Sequence, residues 1–367
     1  MRIFLWSTIV SVIALVIAFL YDGLTGLALC LILGILEVSL SFDNAVVNAK
    51  ILERMSEFWQ RLFLTVGIVI AVFGMRILFP VLIVGLTASL NPVEAWRLAM
   101  EKRPIEDPTS YASILNDAHP QIAAFGGMFL LMLFLDFIFE DRDVQWLRWL
   151  ERPLARLGKL DQLSVVVSAL ALVIFAEIAH SDHTETVLLS GILGIVTYIV
   201  VNGLGSLFEG AGEGDEVVGH TVAPRALRSG PSAVAKVAGR AGFFLFLYLE
   251  VLDASFSFDG VIGAFAITAD PIIIALGLGL IGAMFVRSLT VYLVRKGTLA
   301  EYVFLEHGAH WAIGALAIIL LVSIGIEVNE IVTGLVGVAF IGAALVSSVL
   351  RNRTLRAAGI EPQHVGA

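Results

Sequence analysis

Long apolar runs dominate this chain and leave few folds open to it. A helix needs roughly 20 mostly apolar residues to cross a hydrocarbon core. Ten segments reach or approach that length: residues 3–20, 23–47, 61–86, 121–139, 163–179, 185–205, 240–266, 270–294, 309–326 and 330–350. The runs are continuous rather than alternating, which argues against transmembrane strands. Composition agrees. The 367 residues are 58% hydrophobic and 15% charged, against about 45–50% and 25% in soluble domains. The sequence predicts an all-α polytopic membrane protein. Arg2 and the apolar run behind it resemble a signal peptide, but no small-residue cleavage site precedes Tyr21-Asp22-Gly23, so the run is read as a span.

Charge narrows the function. The 23 Lys and Arg against 32 Asp and Glu give a net charge of −9, which removes nucleic acid as a partner. The single cysteine, Cys30, lies in an apolar run and supplies neither a disulfide framework nor a thiolate metal site. The distribution of basic residues gives an orientation. With ten spans, 18 of the 23 Lys and Arg fall on the side of the N-terminus, and only Arg97, Lys102 and Arg103 fall on the other. Arg76 and Arg287 lie inside spans. The basic side is the cytoplasm, so both termini are inside and the location is the cell (inner) membrane.

Three polar intervals interrupt the short turns. Residues 87–120 form an acidic external loop. Residues 140–162, with Trp146, Trp149 and five basic residues, read as an amphipathic helix on the cytoplasmic surface. Residues 206–239 are a Gly-rich cytoplasmic linker. Tyr21-Asp22 together with Gly212-Glu213-Gly214-Asp215 imitates the paired motifs of intramembrane aspartyl proteases, but the two lie on opposite sides of the membrane. No enzymatic activity is expected.

Self-comparison is the most informative step. Ser41-Phe42-Asp43-Asn44 in the second span matches Ser257-Phe258-Asp259-Gly260 in the seventh, and an acid stands six residues before each aspartate, Glu37 and Asp253. An arginine follows in the next span of each half, Arg76 and Arg287. The first repeat covers 1–179, the second 185–350, and a basic tail 351–367. Five spans is an odd number, so the copies cross in opposite senses, an organisation typical of secondary transporters. This topology puts Glu37 and Asp253 near the midplane and Asp43 and Asp259 towards opposite faces. Glu37, Ser41 and Asn44, at i, i+4 and i+7, share one helix face, with Asp43 turned about 120° away. Local unwinding of the Ser-Phe-Asp stretch would let both acids converge.

An acid at mid-membrane costs roughly 2.5–3.5 kcal/mol on insertion scales. Ion pairs with Arg76 and Arg287 would offset part of that and merely tie helices together, or act as gates. Four acids against two arginines leave two over, which favours a cation or proton site. Asn44, Ser41 and Ser257 are neutral oxygen ligands in this reading, or simply close helix packing. Glu250, one turn before Asp253, is a further candidate ligand. His180, Asp182, His183 and Glu185 crowd one external turn as a metal-collecting patch or a polar hairpin, and His307 and His310 beside Glu306 read the same two ways on the cytoplasmic side.

Glu37-Val-Ser-Leu-Ser-Phe-Asp43-Asn44-Ala-Val, with Asp253-Ala-Ser-Phe-Ser-Phe-Asp259-Gly260-Val, resembles the duplicated acidic motif of the TerC family, named for tellurium-ion resistance and part of the LysE transporter superfamily. The resemblance covers roughly spans 2–4 and 7–9. It implies an integral membrane metal-ion exporter, with Mn²⁺ the leading substrate and the motif residues Glu37, Asp43, Asn44, Asp253 and Asp259 as ligands. Gly260 stands where the family often has serine, and the chain carries extra spans and an external loop.

Carboxylate, amide and hydroxyl oxygens without thiolates suit hard cations such as Mn²⁺, Mg²⁺ and Ca²⁺. The expectation is therefore export of a divalent cation by alternating access, with membrane lipid as surroundings, no permanently bound cofactor, and a homo-oligomer left open. Moving charge out against the membrane potential costs about 2.3 kcal/mol per charge per 100 mV. No nucleotide site is visible to supply it, so proton antiport is expected, helped by the tendency of buried acids to take up protons. Two alternatives stand beside it: export of an amino acid or other small solute, and a non-transporting membrane-assembly or stress-response factor.

Overall fold

The computed structural model describes residues 2–67, 69–160, 162–178, 184–211, 239–268, 270–296, 302–326, 328 and 330–358. Helix occupies each of the ten apolar intervals, and no strand occurs among the described residues. Among them, seven helices are long and apolar enough to cross a membrane. Large apolar side chains such as Leu20, Leu24, Leu170, Ile174, Leu189 and Leu335 stand exposed along α1 (Arg2–Leu40), α9 (Leu163–Ile178), α10 (Thr184–Ala211) and α15 (Glu330–Ala357). A soluble monomer does not tolerate so much exposed apolar surface. The protein is a helical membrane protein.

The longest apolar helix is in fact two. α1 breaks at Asp22 (φ −138°, ψ 25°) and Gly23 (φ 63°, ψ −144°), a left-handed φ that glycine adopts readily. A Cβ on Gly26 would lie 2.6 Å from the Ala18 carbonyl oxygen, whereas eight residues of unbroken helix would separate them by about 12 Å. The chain doubles back, and the runs predicted at 3–20 and 23–47 form a hairpin. α2 (Phe42–Arg54) continues the second arm after a single-residue break at Ser41 (φ −97°, ψ 15°). The Ser41 N–H still reaches the Glu37 carbonyl at 2.9 Å and the Ala45 N–H reaches Ser41 at 3.1 Å. The backbone of the matching stretch in α11 (Gly239–Ile267) is helical throughout. The expected unwinding is thus reduced to one kinked residue in one copy, because the hydrogen-bond ladder survives it.

Two of the apolar intervals contain π-helix among the described residues. The interval 61–86 is covered by α3 (Glu57–Leu62), π-helical Phe63–Gly67 and Ile70–Leu78, and α4 (Phe79–Thr87). The interval 270–294 is covered by α12 (Pro271–Ile274), π-helical Ala275–Gly282, and α13 (Ala283–Lys296). Such turns concentrate at functional sites. The second arm of α1 lies against 275–282 with almost no side chain between them. A Cβ on Gly277 would come within 2.7 Å of the Cys30 carbonyl oxygen, and one on Gly34 within 2.9 Å of Ile281. Small residues allow this approach.

The 87–120 interval is not the plain loop expected. It contains α5 (Pro92–Met100) and α6 (Tyr111–Asp117), the first opened by a capping box between Asn91 and Glu94. Lys102 in this interval pairs with Asp270 at 2.7 Å and donates to the Tyr21 hydroxyl. α7 (His119–Phe139) is the most enclosed helix, set against α10 and α14 (Leu305–Ser323) around Met128, Phe129 and Ile313. The amphipathic segment is helical only over α8 (Arg148–Leu157), shorter than 140–162. Its start is fixed by the Glu151 carboxylate, which accepts from the Trp146 and Leu147 N–H groups. Residues 212–238 of the linker and 359–367 of the tail lie outside the described residues.

Candidate ion-binding site

The kink at Ser41 and the turns either side of it aim four polar side chains from one helical strip. Glu37, Ser41, Asn44 and Asn48, at i, i+4, i+7 and i+11, all face inward and are buried, Glu37 at 1% exposure. Ser41 Oγ donates to Glu37 Oε1 at 2.7 Å. The Arg76 guanidinium reaches the same oxygen through Nη2 and donates through Nη1 to the Ala71 carbonyl at 2.8 Å. Arg76 sits in the π-helical stretch Ile70–Leu78, and this pair neutralises Glu37 in a place where an isolated charge would be very costly.

Asp253, from α11, closes the other side. Asn44 Nδ2 donates to its Oδ1 at 2.6 Å. Between these groups lies a cavity of about 40 Å³ whose lining includes Ser41, Asn44, Asn48, Gly67, Arg76 and Asp253. That is room for one water or one ion. Two buried oxygens of its lining accept no hydrogen bond, Asn44 Oδ1 and Asn48 Oδ1, and neither does Glu250 Oε1, which lies beside Gly67 of its wall. Buried polar atoms are normally satisfied, so acceptors left open here leave a place for a donor such as water, or for a cation.

Two glycines make the geometry possible. A Cβ on Gly282 would sit 2.0 Å from Glu37 Cγ, and one on Gly67 would sit 2.7 Å from Glu250 Oε1. Arg287 lines the same cavity and donates through Nε to the Leu64 carbonyl at 2.8 Å, a carbonyl of the Phe63–Gly67 π-helix. Arg76 and Arg287 therefore both serve backbone carbonyls of the π-helical stretches Phe63–Gly67 and Ile70–Leu78.

Of the residues singled out from sequence, Glu37, Ser41, Asn44, Arg76, Asp253, Glu250 and Arg287 come together here. The side chains of Asp43, Ser257 and Asp259 lie outside what the structure describes, although their backbones are helical. His180, Asp182 and His183 lie outside the described residues, and Glu185 is exposed at the start of α10. Among the described residues no three His, Cys, Asp or Glu side chains converge on one point. A cation here would meet one lining carboxylate, Asp253, plus amide and hydroxyl oxygens, with Glu250 a neighbouring acid beside Gly67. Asn48 was missed by sequence reasoning, yet its place at i+11 on the same face was there to be read.

A second polar space was also missed. A cavity of about 400 Å³ lies between α2, α7, α10, α11 and α14, lined by Lys50, Arg54, Asp136, Tyr198, Glu306 and His310 among others. Lys50 and Arg142 pair with Glu306 at 3.3 and 3.4 Å, and the Tyr198 hydroxyl donates to Asp136 at 2.7 Å. α2 forms the partition: Asn44 and Asn48 face the small cavity, Val47, Lys50, Ile51 and Arg54 the large one.

Comparison with curated proteins and with solved structures gives no match. A family model does match, over residues 42–355, which includes α2, both π-helical spans and α11. The chain therefore belongs to the family described as "Protein of unknown function (DUF475)".

Proposed function

We propose that the protein is a divalent-cation transporter, an Mn²⁺ exporter working by alternating access and proton antiport, similar in kind to TerC-type proteins. The observation that carries this reading is the cavity lined by Asp253 and by Asn44 and Asn48, whose Oδ1 atoms stand without donors, with Glu250 Oε1 likewise without a donor beside its Gly67 wall. An all-oxygen set with carboxylates matches a hard divalent ion. The same carboxylates can hold protons when the ion leaves, which supplies the exchange.

Contacts at the two ends support ten crossings with both termini on the basic side. Lys102, Tyr21 and Asp270, all assigned to the acidic side by the charge count, meet one another. Lys50, Arg142 and Glu306, all assigned to the basic side, meet likewise. In this topology the larger cavity is a cytoplasmic vestibule, and α2 separates it from the ion site. The π-helical stretches in the third and eighth spans also fall in matching positions of the proposed inverted repeat.

One observation favours the rival in which the acids only hold helices together: Glu37 is fully occupied by Arg76 and Ser41. Flux through purified protein in liposomes separates the readings. Movement of Mn²⁺ in preference to amino acids is expected. Amino-acid flux would point to solute export, and no flux of either to an assembly factor.

A further inference from the structure

The larger cavity has a charged mouth and, further in, a single carboxylate. At the mouth Lys50 and Arg142 share Glu306, at 3.3 and 3.4 Å, and Arg142 also pairs with Glu140. Arg54 is exposed there, where water and salt screen its charge. Inside, the walls are the buried side chains of Val47, Leu133, Phe137, Tyr198 and Tyr248. Asp136 stands among them, half-buried, and accepts from the Tyr198 hydroxyl at 2.7 Å. Among the described residues no Lys or Arg forms an ion pair with it. The bases of this cavity are paired or screened at its mouth, and the carboxylate inside is not.

Size decides what that carboxylate meets. A divalent ion with six waters takes up about 180 Å³, at about 30 Å³ per water, and the larger cavity offers about 400 Å³. The smaller one offers about 40 Å³, so it admits the ion only bare, with side-chain oxygens in place of water. The two spaces lie in sequence. Tyr248 of the larger and Asp253 of the smaller are five residues apart on α11, about 7.5 Å along its axis, and α2 stands between the cavities. Water bound to a divalent ion is a strong donor, and a carboxylate is the acceptor that suits it. We propose that the larger cavity is a second binding site, where Asp136 and the Tyr198 oxygen hold the cation through its hydration shell before α2 lets it pass. Resting on the transport reading above, this assignment gives the ion a place to wait while still hydrated. Mg²⁺ sheds water reluctantly, so it should occupy this site without passing on.

Hexaamminecobalt(III) has about the size of a hydrated metal ion and cannot shed its ligands, so it separates this site from the smaller cavity. Titration calorimetry of the full chain in detergent, at physiological salt, tests the proposal. The wild type is expected to bind the complex, and Mg²⁺ to displace it. Asp136→Asn keeps the shape of the side chain and an acceptor for Tyr198, and should weaken binding about tenfold. Asp253→Asn, which removes the smaller cavity's carboxylate, should retain the complex. Asn202→Lys, at an exposed position of the same lining, places a fixed cation there and should weaken binding about threefold. No binding by the wild type, unchanged binding in Asp136→Asn, or an equal loss in Asp253→Asn would each overturn the proposal. Should Asp136→Asn fail to fold, unchanged binding in Asn202→Lys overturns it instead. The titration involves no flux, so its failure leaves the transport reading standing, and a protein that binds the complex but moves no Mn²⁺ would sink that reading alone.

Discussion

Asn44 donates to Asp253 at 2.6 Å across 209 residues of chain, with the amide nitrogen spent on the aspartate and the amide oxygen left facing the cavity. One side chain thus both fixes the carboxylate and offers a ligand atom. Asn44→Ala removes both. It is expected to destabilise the protein by about 1.5–3 kcal/mol, the range for a hydrogen bond to a charged group, and to weaken Mn²⁺ binding measured by titration calorimetry in detergent.

Glu37 and Arg76 are a buried pair, so losing one partner strands the other. Glu37→Gln and Arg76→Gln should each cost about 3–5 kcal/mol, and the double variant clearly less than their sum. Thermal unfolding of the four proteins in detergent reads the coupling. Additive costs would show that the two do not depend on one another.

Gly282→Ala puts a methyl 2.0 Å from Glu37 Cγ. Overpacking of this kind costs about 1–3 kcal/mol, and displacement of Glu37 should disturb ion affinity as well. Gly342 has nothing within 4 Å of where its Cβ would be, and it lies within α15. Gly342→Ala should therefore leave the unfolding temperature unchanged or raise it, which makes it the matched control.

Burial alone would raise the Glu151 carboxyl above its ordinary 4.5, but the hydrogen bonds from His307, Trp311 and the Leu147 N–H outweigh it and hold the group lower. A depressed carboxylate contributes stability above 4.5 that is lost as pH falls through its folded-state value. Docking of α8 should weaken as pH drops below 4.5, seen as faster proteolysis in 140–147. Glu151→Gln, which has no proton to gain, should be cleaved faster at neutral pH and show no further change in the acid range.

Much of the fold was legible because hydrophobic length is a local property: each apolar run became helix, and Gly23 marked the reversal that hides inside α1. The strip Glu37, Ser41, Asn44 was legible from helical spacing, and the internal repeat pointed from it to Asp253. Asn48 fell on the same strip, but a lone asparagine carries little signal without its neighbour. The larger cavity was not legible, since Asp136, Tyr198 and Glu306 come from three helices with no common pattern. Nor were the π-helical stretches, whose extra residue per turn is set by what packs around them. α8 came out shorter than expected because the Glu151 side chain, rather than the apolar periodicity, decides where its helix starts.

Mn²⁺ flux in liposomes under an imposed pH gradient, wild type against Asp253→Asn, tests the central claim most directly. Transport needs the cavity's lining carboxylate to trade a metal for protons, so wild-type flux should follow the gradient and the variant, inserted and folded, should carry none. Full gradient-driven flux in the variant would contradict both the site and the coupling.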